Sequence, residues 1–301
     1  MVEHFWNPSS LDEALAVLAG EREAALPVAG GTDLMLRLRQ GRLTPRGLVS
    51  MRRLRGLEGS PARVEGGALL LDALAPLADL IAATEARAHA PELVAALATI
   101  GSPAIRNVAT LAGNVVNASP AADSLPPLVL LDAGVVLRRR EGTRTVPLAT
   151  FLTGPGRTTR AADELLVAVR LPLAPAAGRR VGLFRKFGKR RANIIASANV
   201  AARLAVAEGR VATARLAVGG VAATARRLQG VEQALVGQAA TPDLFARLEP
   251  ALVAAVDALV RPISDVRGGA AFKRALMLHA LEQLCARAAR VAAGEEAGDD
   301  L

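Results

Sequence analysis

Apolar residues recur at helical spacing over Leu11-Asp-Glu-Ala-Leu-Ala-Val-Leu-Ala19, behind Ser10 with Glu13 three residues on and before Gly20. That pattern predicts a helix opened by a capping box and stopped by the glycine. Leu26–Ala29 predicts a short buried strand, Leu34–Arg39 a helix and Gly47–Ser50 another strand, so the first fifty residues read as a small α/β lobe. From Gly56 the alternation shortens. Ala62–Glu65 with Ala68–Leu71, and Gly134–Arg138 with Thr143–Val146, predict two hairpins, and Glu164–Leu171 predicts a longer strand. Helices are predicted to open at Pro76 and Pro91, where proline loses no amide bond. Past a predicted linker at Leu173–Gly178, strand patterns at Val181–Phe184, Ile194–Val200 and Val211–Val218 precede helices near 231–236, 243–259 and 269–291. That order predicts a sheet covered by helices on one face. The organisation is therefore a domain over 1–175, with lobes about 1–55 and 56–175, a second over 176–291, and an acidic tail over 292–301.

A chain of 301 residues that is 51% hydrophobic is long enough for two buried cores. No apolar run reaches about 18 residues, and Met1–Trp6 has neither the basic nor the apolar part of a signal peptide, so a soluble cytoplasmic chain is expected. The single cysteine, Cys285, excludes an internal disulfide and a Cys-held zinc or iron–sulfur centre; any such centre belongs to a partner. A net charge of +9, with basic residues crowded between Arg179 and Arg191, raises the alternative of a nucleic-acid-binding module. Against it, only 2% of residues are aromatic and Tyr is absent, so stacking platforms for single strands are nearly missing and no nucleic acid is expected as partner. His4, His89 and His279 fall in unrelated segments without ligand-like spacing. Cys285, in an apolar helix, reads as a buried hydrophobe.

Two stretches carry candidate chemistry. The strand over Leu26–Ala29 ends in Gly30-Gly31-Thr32 ahead of a helix, which leaves backbone amides and a helix N-terminus as a phosphate site, or simply makes a tight turn. It lacks the spacing of the Rossmann and P-loop fingerprints. Thr32 can donate its hydroxyl to a phosphate oxygen, and Asp33 is expected to cap the following helix. In the second stretch Thr110, Gly113, Asn114, Asn117, Ser119 and Asp123 crowd between apolar segments. Such polar atoms need a ligand, water or each other, and the alternative is an Asx-turn before a helix capped at Ser124.

Ala29-Gly-Gly-Thr-Asp33, Thr110-Leu-Ala-Gly-Asn114 and Asn117-Ala-Ser-Pro-Ala-Ala-Asp123 with Leu131-Asp-Ala133 resemble, in order, motifs of the FAD-binding medium subunit of molybdenum hydroxylases. This is the family of aerobic carbon monoxide dehydrogenase and bacterial xanthine dehydrogenase. Phe184–Arg191 resembles its basic strand and Ser264–Arg274 its closing helix. The resemblance covers nearly the whole chain. It implies an α+β fold, a two-lobed vanillyl-alcohol-oxidase-type FAD-binding domain followed by a C-terminal α+β domain with an antiparallel sheet covered by helices. It implies FAD as cofactor, with the two glycine stretches facing each other across its diphosphate. The residues implied to hold it are Pro27, Val28, Ala29, Gly30, Gly31, Thr32, Asp33, Leu34, Ile100, Thr110, Leu111, Ala112, Gly113, Asn114, Asp123, Leu166 and Lys186. Asp123 is implied on the ribityl or pyrimidine side, Leu166 near the adenine and Lys186 by the flavin ring, although Lys186 also suits a plain surface strand.

The resemblance further implies an electron-transfer role, from a small [2Fe-2S] subunit reduced by a large molybdopterin subunit, through FAD, to NAD, quinone or oxygen, in a dimer of heterotrimers. Two positions depart from the family pattern. Ala112 replaces the first glycine of the second pair, a change costing about 1 kcal/mol if the backbone there needs positive φ. Ile100 stands where eukaryotic relatives stack a phenylalanine, which leaves Phe184, Phe187 or an aliphatic side chain to pack on the flavin.

Overall fold

The structure, a computed structural model, describes residues 2–175, 178–190, 193–259 and 268–295. Parts of the expected linker at 173–178, of the basic run ending at Arg191, of the motif opening at Ser264 and of the acidic tail lie outside the described residues. The chain forms two compact units. One comprises Met1–His89, Ile100–Ser119 and Asp132–Pro172; the other comprises Ala90–Thr99, Pro120–Leu131 and Leu173–Leu301.

The first unit begins with a parallel sheet of β1 (His4–Trp6), β2 (Ala25–Val28) and β3 (Gly47–Ser50) in the order β1-β3-β2. The strands are parallel because the helix Leu11–Glu21 carries the chain back between the first two. Every residue of β3 is buried, as a central parallel strand requires. Ser10 caps that helix by accepting the Glu13 amide at 3.1 Å, but Glu13 reaches back to the Ser9 amide at 2.7 Å, so the box closes one residue early. The helix also passes through Gly20 and stops at Arg22, whose φ of 47° supplies the left-handed turn expected of the glycine.

A five-stranded antiparallel sheet completes this unit. It is built from β4 (Ala62–Glu65), β5 (Ala68–Asp72), β6 (Gly134–Arg139), β7 (Gly142–Pro147) and, after the small hairpin of β8 (Leu152–Gly154) and β9 (Arg157–Thr158), β10 (Leu165–Pro172). The order β4-β5-β10-β6-β7 places the long apolar β10 in the middle and both expected hairpins at the edges. Asp72, at the end of β5, is buried and accepts the amides of Gly56, Leu74 and Ala75 at 2.9, 2.8 and 3.2 Å, which ties two loops to the sheet.

The second unit is built on β11 (Arg179–Phe187), β12 (Ala198–Ala207), β13 (Arg210–Gly219) and β14 (Arg226–Arg227), antiparallel in chain order. The strand expected from Ile194 starts at Ala198, because β11 ends opposite it at Phe187 and the earlier residues have no ladder partner. On one face Val200, Ala202 and Leu204 pack with Met277, Leu281 and Leu284 of the helix Ala270–Ala292. The other face is covered too, by the helices Pro91–Ala98 and Leu125–Leu130. The expectation of helices on one face is therefore corrected. Alternation in β12 is hidden because small apolar residues fill both faces, and the helices that cover the second face come from far upstream.

The second face is fastened by charge. Arg203 donates Nε to Glu92 Oε1 at 2.9 Å, with the Glu92 side chain 2% exposed. Arg215 reaches the Leu130 carbonyl at 3.3 Å. Arg203→Met strands the Glu92 carboxylate and is expected to lower the unfolding free energy by about 3–5 kcal/mol in urea titration, whereas Arg203→Met combined with Glu92→Met recovers most of that loss.

Candidate functional site

The two glycine stretches, nearly eighty residues apart in the chain, touch in the first unit. A Cβ placed on Gly30 would lie 2.1 Å from the Val108 carbonyl oxygen and 2.7 Å from the Ala109 Cα. Only glycine lets the backbones meet so closely. A Cβ on Gly113 would stand 3.9 Å from that of Ala29, so the second stretch faces the first directly.

The two sides offer different chemistry. Gly31 has φ of 68°, and the amides of Gly30, Gly31, Thr32, Asp33 and Leu34 make no hydrogen bond among the described residues. Successive unpaired N–H groups around a left-handed residue form a concave anion-binding nest. Asp33 does not cap the next helix. Its backbone is already helical, at φ −106° and ψ −45°, and its side chain makes no capping bond, because capping requires an extended residue there.

Across from it, Thr110 opens an unexpected short helix, Leu111–Val116, and its hydroxyl accepts the Gly113 amide at 3.1 Å. The Ala112 amide donates to Ala73 and that of Asn114 to Thr110. The amides of the first stretch are therefore open, whereas in the second those of Ala112, Gly113 and Asn114 are already used. What the second offers is the exposed, side-chain-free surface of Gly113 beside Asn114 and Asn117. Ala112 is helical rather than at positive φ, so its methyl carries no backbone strain. Ser124, the alternative cap, is also helical and makes no side-chain capping bond.

Between the stretches lies a cavity of about 310 Å³, at the small end of the range for ligand sites. Of the expected residues it gathers Pro27, Ala29 to Leu34, Ile100, Thr110, Ala112, Gly113, Asn114 and Leu166. Val28 and Leu111 do not line it, and Leu111 is wholly buried. The motifs did not reveal Arg37, Leu43, Met51, Leu74, Arg160 and Leu165, which reach the cavity from segments without a local signature. Free amides at one side and apolar walls at the other suit a ligand that joins an anionic group to a flat apolar one.

Asp123 and Lys186 are brought together in the second unit and do not line that cavity. Lys186 Nζ donates to Asp123 Oδ2 at 2.6 Å and to the Thr99 carbonyl at 3.1 Å, and Asn199 Nδ2 donates to Asp123 Oδ1 at 3.0 Å. Burial raises the Asp123 pKa, and the Lys186 charge works against that rise. Lys186 and Phe187 line a separate cavity of about 500 Å³ within the second unit. Phe184 is buried.

Part of the basic run is tied down by hydrogen bonds, Arg179 to the Val291 and Glu295 carbonyls, Arg185 to the Gln283 side chain and Arg190 to the Asn193 carbonyl, while Arg179, Arg180, Lys189 and Arg190 stay exposed. Burial pushes the Cys285 thiol up to about 12, as expected of an inert core residue. Among the described residues no group of His, Cys, Asp and Glu is placed to hold a metal ion, and no helix is long and apolar enough to cross a membrane.

Comparison with known proteins agrees with this chemistry. Residues 1–174 match the family described as the FAD binding domain in molybdopterin dehydrogenase, and residues 184–288 match the CO dehydrogenase flavoprotein C-terminal domain. The chain is 34% identical over 230 residues to the xanthine dehydrogenase FAD-binding subunit of Escherichia coli O157:H7, covering 76% of this chain and 77% of that one. It is 30% identical to the carbon monoxide dehydrogenase medium chain of Hydrogenophaga pseudoflava, over 89% of this chain and 91% of the other. A solved structure of carbon monoxide dehydrogenase from Hydrogenophaga pseudoflava, lacking the Mo-pyranopterin moiety of its cofactor, superposes with a TM-score of 0.86 at 29% identity, over 97% of this chain and 98% of that one.

Gly31→Val forces a β-branched residue to φ of 68° and sets its Cβ 3.2 Å from Met35 Cγ, so the nest is expected to deform. About tenfold or more of FAD affinity should be lost in flavin-fluorescence titration, with the second unit's unfolding unchanged. For Lys186→Met the sign follows from Asp123. A carboxyl whose folded pKa lies above its unfolded value of about 3.9 is most favourable below that value, and its contribution falls as pH rises toward the folded pKa. The variant should be close to wild type near pH 4 and lose about 3–5 kcal/mol at pH 7. Urea unfolding at both pH values checks it, and equal losses would mean that Asp123 stays ionised.

Proposed function

The chain belongs to the family of FAD-binding medium subunits of molybdenum hydroxylases, and from that premise we propose that it is the flavin electron-transfer subunit of a cytoplasmic dehydrogenase complex. Electrons enter from a small [2Fe-2S] subunit, itself reduced by a large molybdopterin subunit, and leave to NAD, quinone or oxygen. The assembly is a dimer of heterotrimers. FAD supplies the electron-accepting and electron-donating chemistry when bound, and the protein's part is binding and positioning.

The single observation that carries the reading is the row of unpaired amides from Gly30 to Leu34, opening on a cavity whose far side is the bare surface of Gly113. Those amides neutralise the diphosphate without a lysine or a metal ion. Pro27, Ala29, Ile100 and Leu166 provide the apolar part of the wall, and Thr32 and Asn114 its polar edge. Asp123 and Lys186 pair with each other in the second unit, and the family resemblance assigns both to the flavin end of the cofactor. Substrate oxidation belongs to the molybdenum subunit.

The purified chain is expected to be yellow and to retain stoichiometric FAD through gel filtration. From its native source it should co-purify with one subunit carrying paired cysteine clusters and one large molybdenum-containing subunit. A colourless chain that takes up no FAD when titrated would overturn the reading.

A further inference from the structure

No aromatic residue lines the first unit's cavity, although the ligand it fits carries flat rings. The flat groups present are the Asn114 and Asn117 carboxamides and the guanidiniums of Arg37 and Arg160. Arg160 is held rigidly. Its Nη1 donates to the carbonyls of Ala161, Ala162 and Glu164 at 2.8, 3.3 and 2.7 Å. Glu164 is itself pinned, its carboxylate accepting from Arg144 at 2.6 and 2.8 Å and from the Ala161 amide at 2.8 Å. The Nε and Nη2 groups of Arg160 make no hydrogen bond among the described residues.

Three carbonyls share one nitrogen of Arg160; burial lowers its pKa, and the Glu164 and Asp163 charges work against that fall. A diphosphate has the nest at Gly30–Leu34 and needs no further cation. What Arg160 offers a ligand is a fixed plane with two spare donors, set beside Leu165 and Leu166. That combination suits a flat, uncharged heteroaromatic ring with acceptor nitrogens, which stacks on the guanidinium and rests on aliphatic side chains. Of the two ring systems in FAD, the smaller one matches a cavity of about 310 Å³. The isoalloxazine must also stay open to its electron partners, whereas Arg160 is locked against the chain.

We propose that Arg160 recognises the adenine ring of the cofactor and thereby sets the preference of this chain for FAD over FMN. This rests on the FAD reading above. The test titrates FAD and FMN into flavin-free full-length chain, wild type, Arg160→Met and Arg160→Lys, by flavin-fluorescence quenching, with thermal unfolding recorded for each. Both variants are expected to lose about tenfold of FAD affinity while FMN binding stays within about twofold of wild type, so that the preference collapses. Arg160→Lys can still donate to the loop carbonyls and carries the test if Arg160→Met does not fold. Unchanged FAD affinity in the folded variants, or an equal fall for FMN, overturns the assignment. A wild-type chain that binds neither flavin defeats the FAD reading itself.

Discussion

The contact on which the site depends is the seating of the Gly30 backbone against Val108 and Ala109, so close that any side chain would lie 2.1 Å from a carbonyl oxygen. It turns two separate bends into the two walls of one cavity. Because the first bend spends none of its amides on the chain, the meeting leaves a row of donors with no internal acceptor. Such a row is costly unless water or a ligand satisfies it. The open donors at Asp33 and Leu34 are those any helix start leaves, and the left-handed turn at Gly31 extends the row back to Gly30.

The second bend plays a quieter part. Thr110 caps the start of the helix Leu111–Val116 with its hydroxyl, which fixes Gly113 at the cavity wall. The division of labour is physical: one wall recognises charge through loose amides, and the other gives a smooth approach through a rigid helical turn. Arg160, clamped by its own loop, adds a flat surface to a cavity without aromatic rings.

The second unit follows a different logic. Its sheet is packed on both faces, one by the apolar sides of the helices Gln229–Leu235 and Ala270–Ala292 and the other by two helices held through buried ion pairs, Arg203 with Glu92 and Lys186 with Asp123. Each pair carries a desolvation cost, so each is more a constraint on which segments dock than a large gain in stability. Other arginines are spent inside this unit, Arg179 on the Val291 carbonyl, Arg185 on the Gln283 side chain and Arg215 on the Leu130 carbonyl.

Local pattern was enough for what neighbours in sequence decide. The capped helix from Leu11, both hairpins, the apolar β10 and the glycine bend with its cavity-lining residues from Ala29 to Leu34 were legible, because period, caps and turn residues act over a few positions. The helix at Leu111 was not, since its polar residues read as a loop until Thr110 is seen to satisfy Gly113. Nor were the second cover of the β11–β14 sheet and the pairing of Asp123 with Lys186 legible. Arg160 and Leu165 could not be singled out as cavity residues, because no spacing rule links them to Gly30. The sequence by itself determined most of the secondary structure and the open bend after β2. Which distant segments share a wall, and which charges find each other in the interior, only the tertiary structure decided, because close packing and the cost of burying an unpaired charge act through space and leave no periodic mark along the chain.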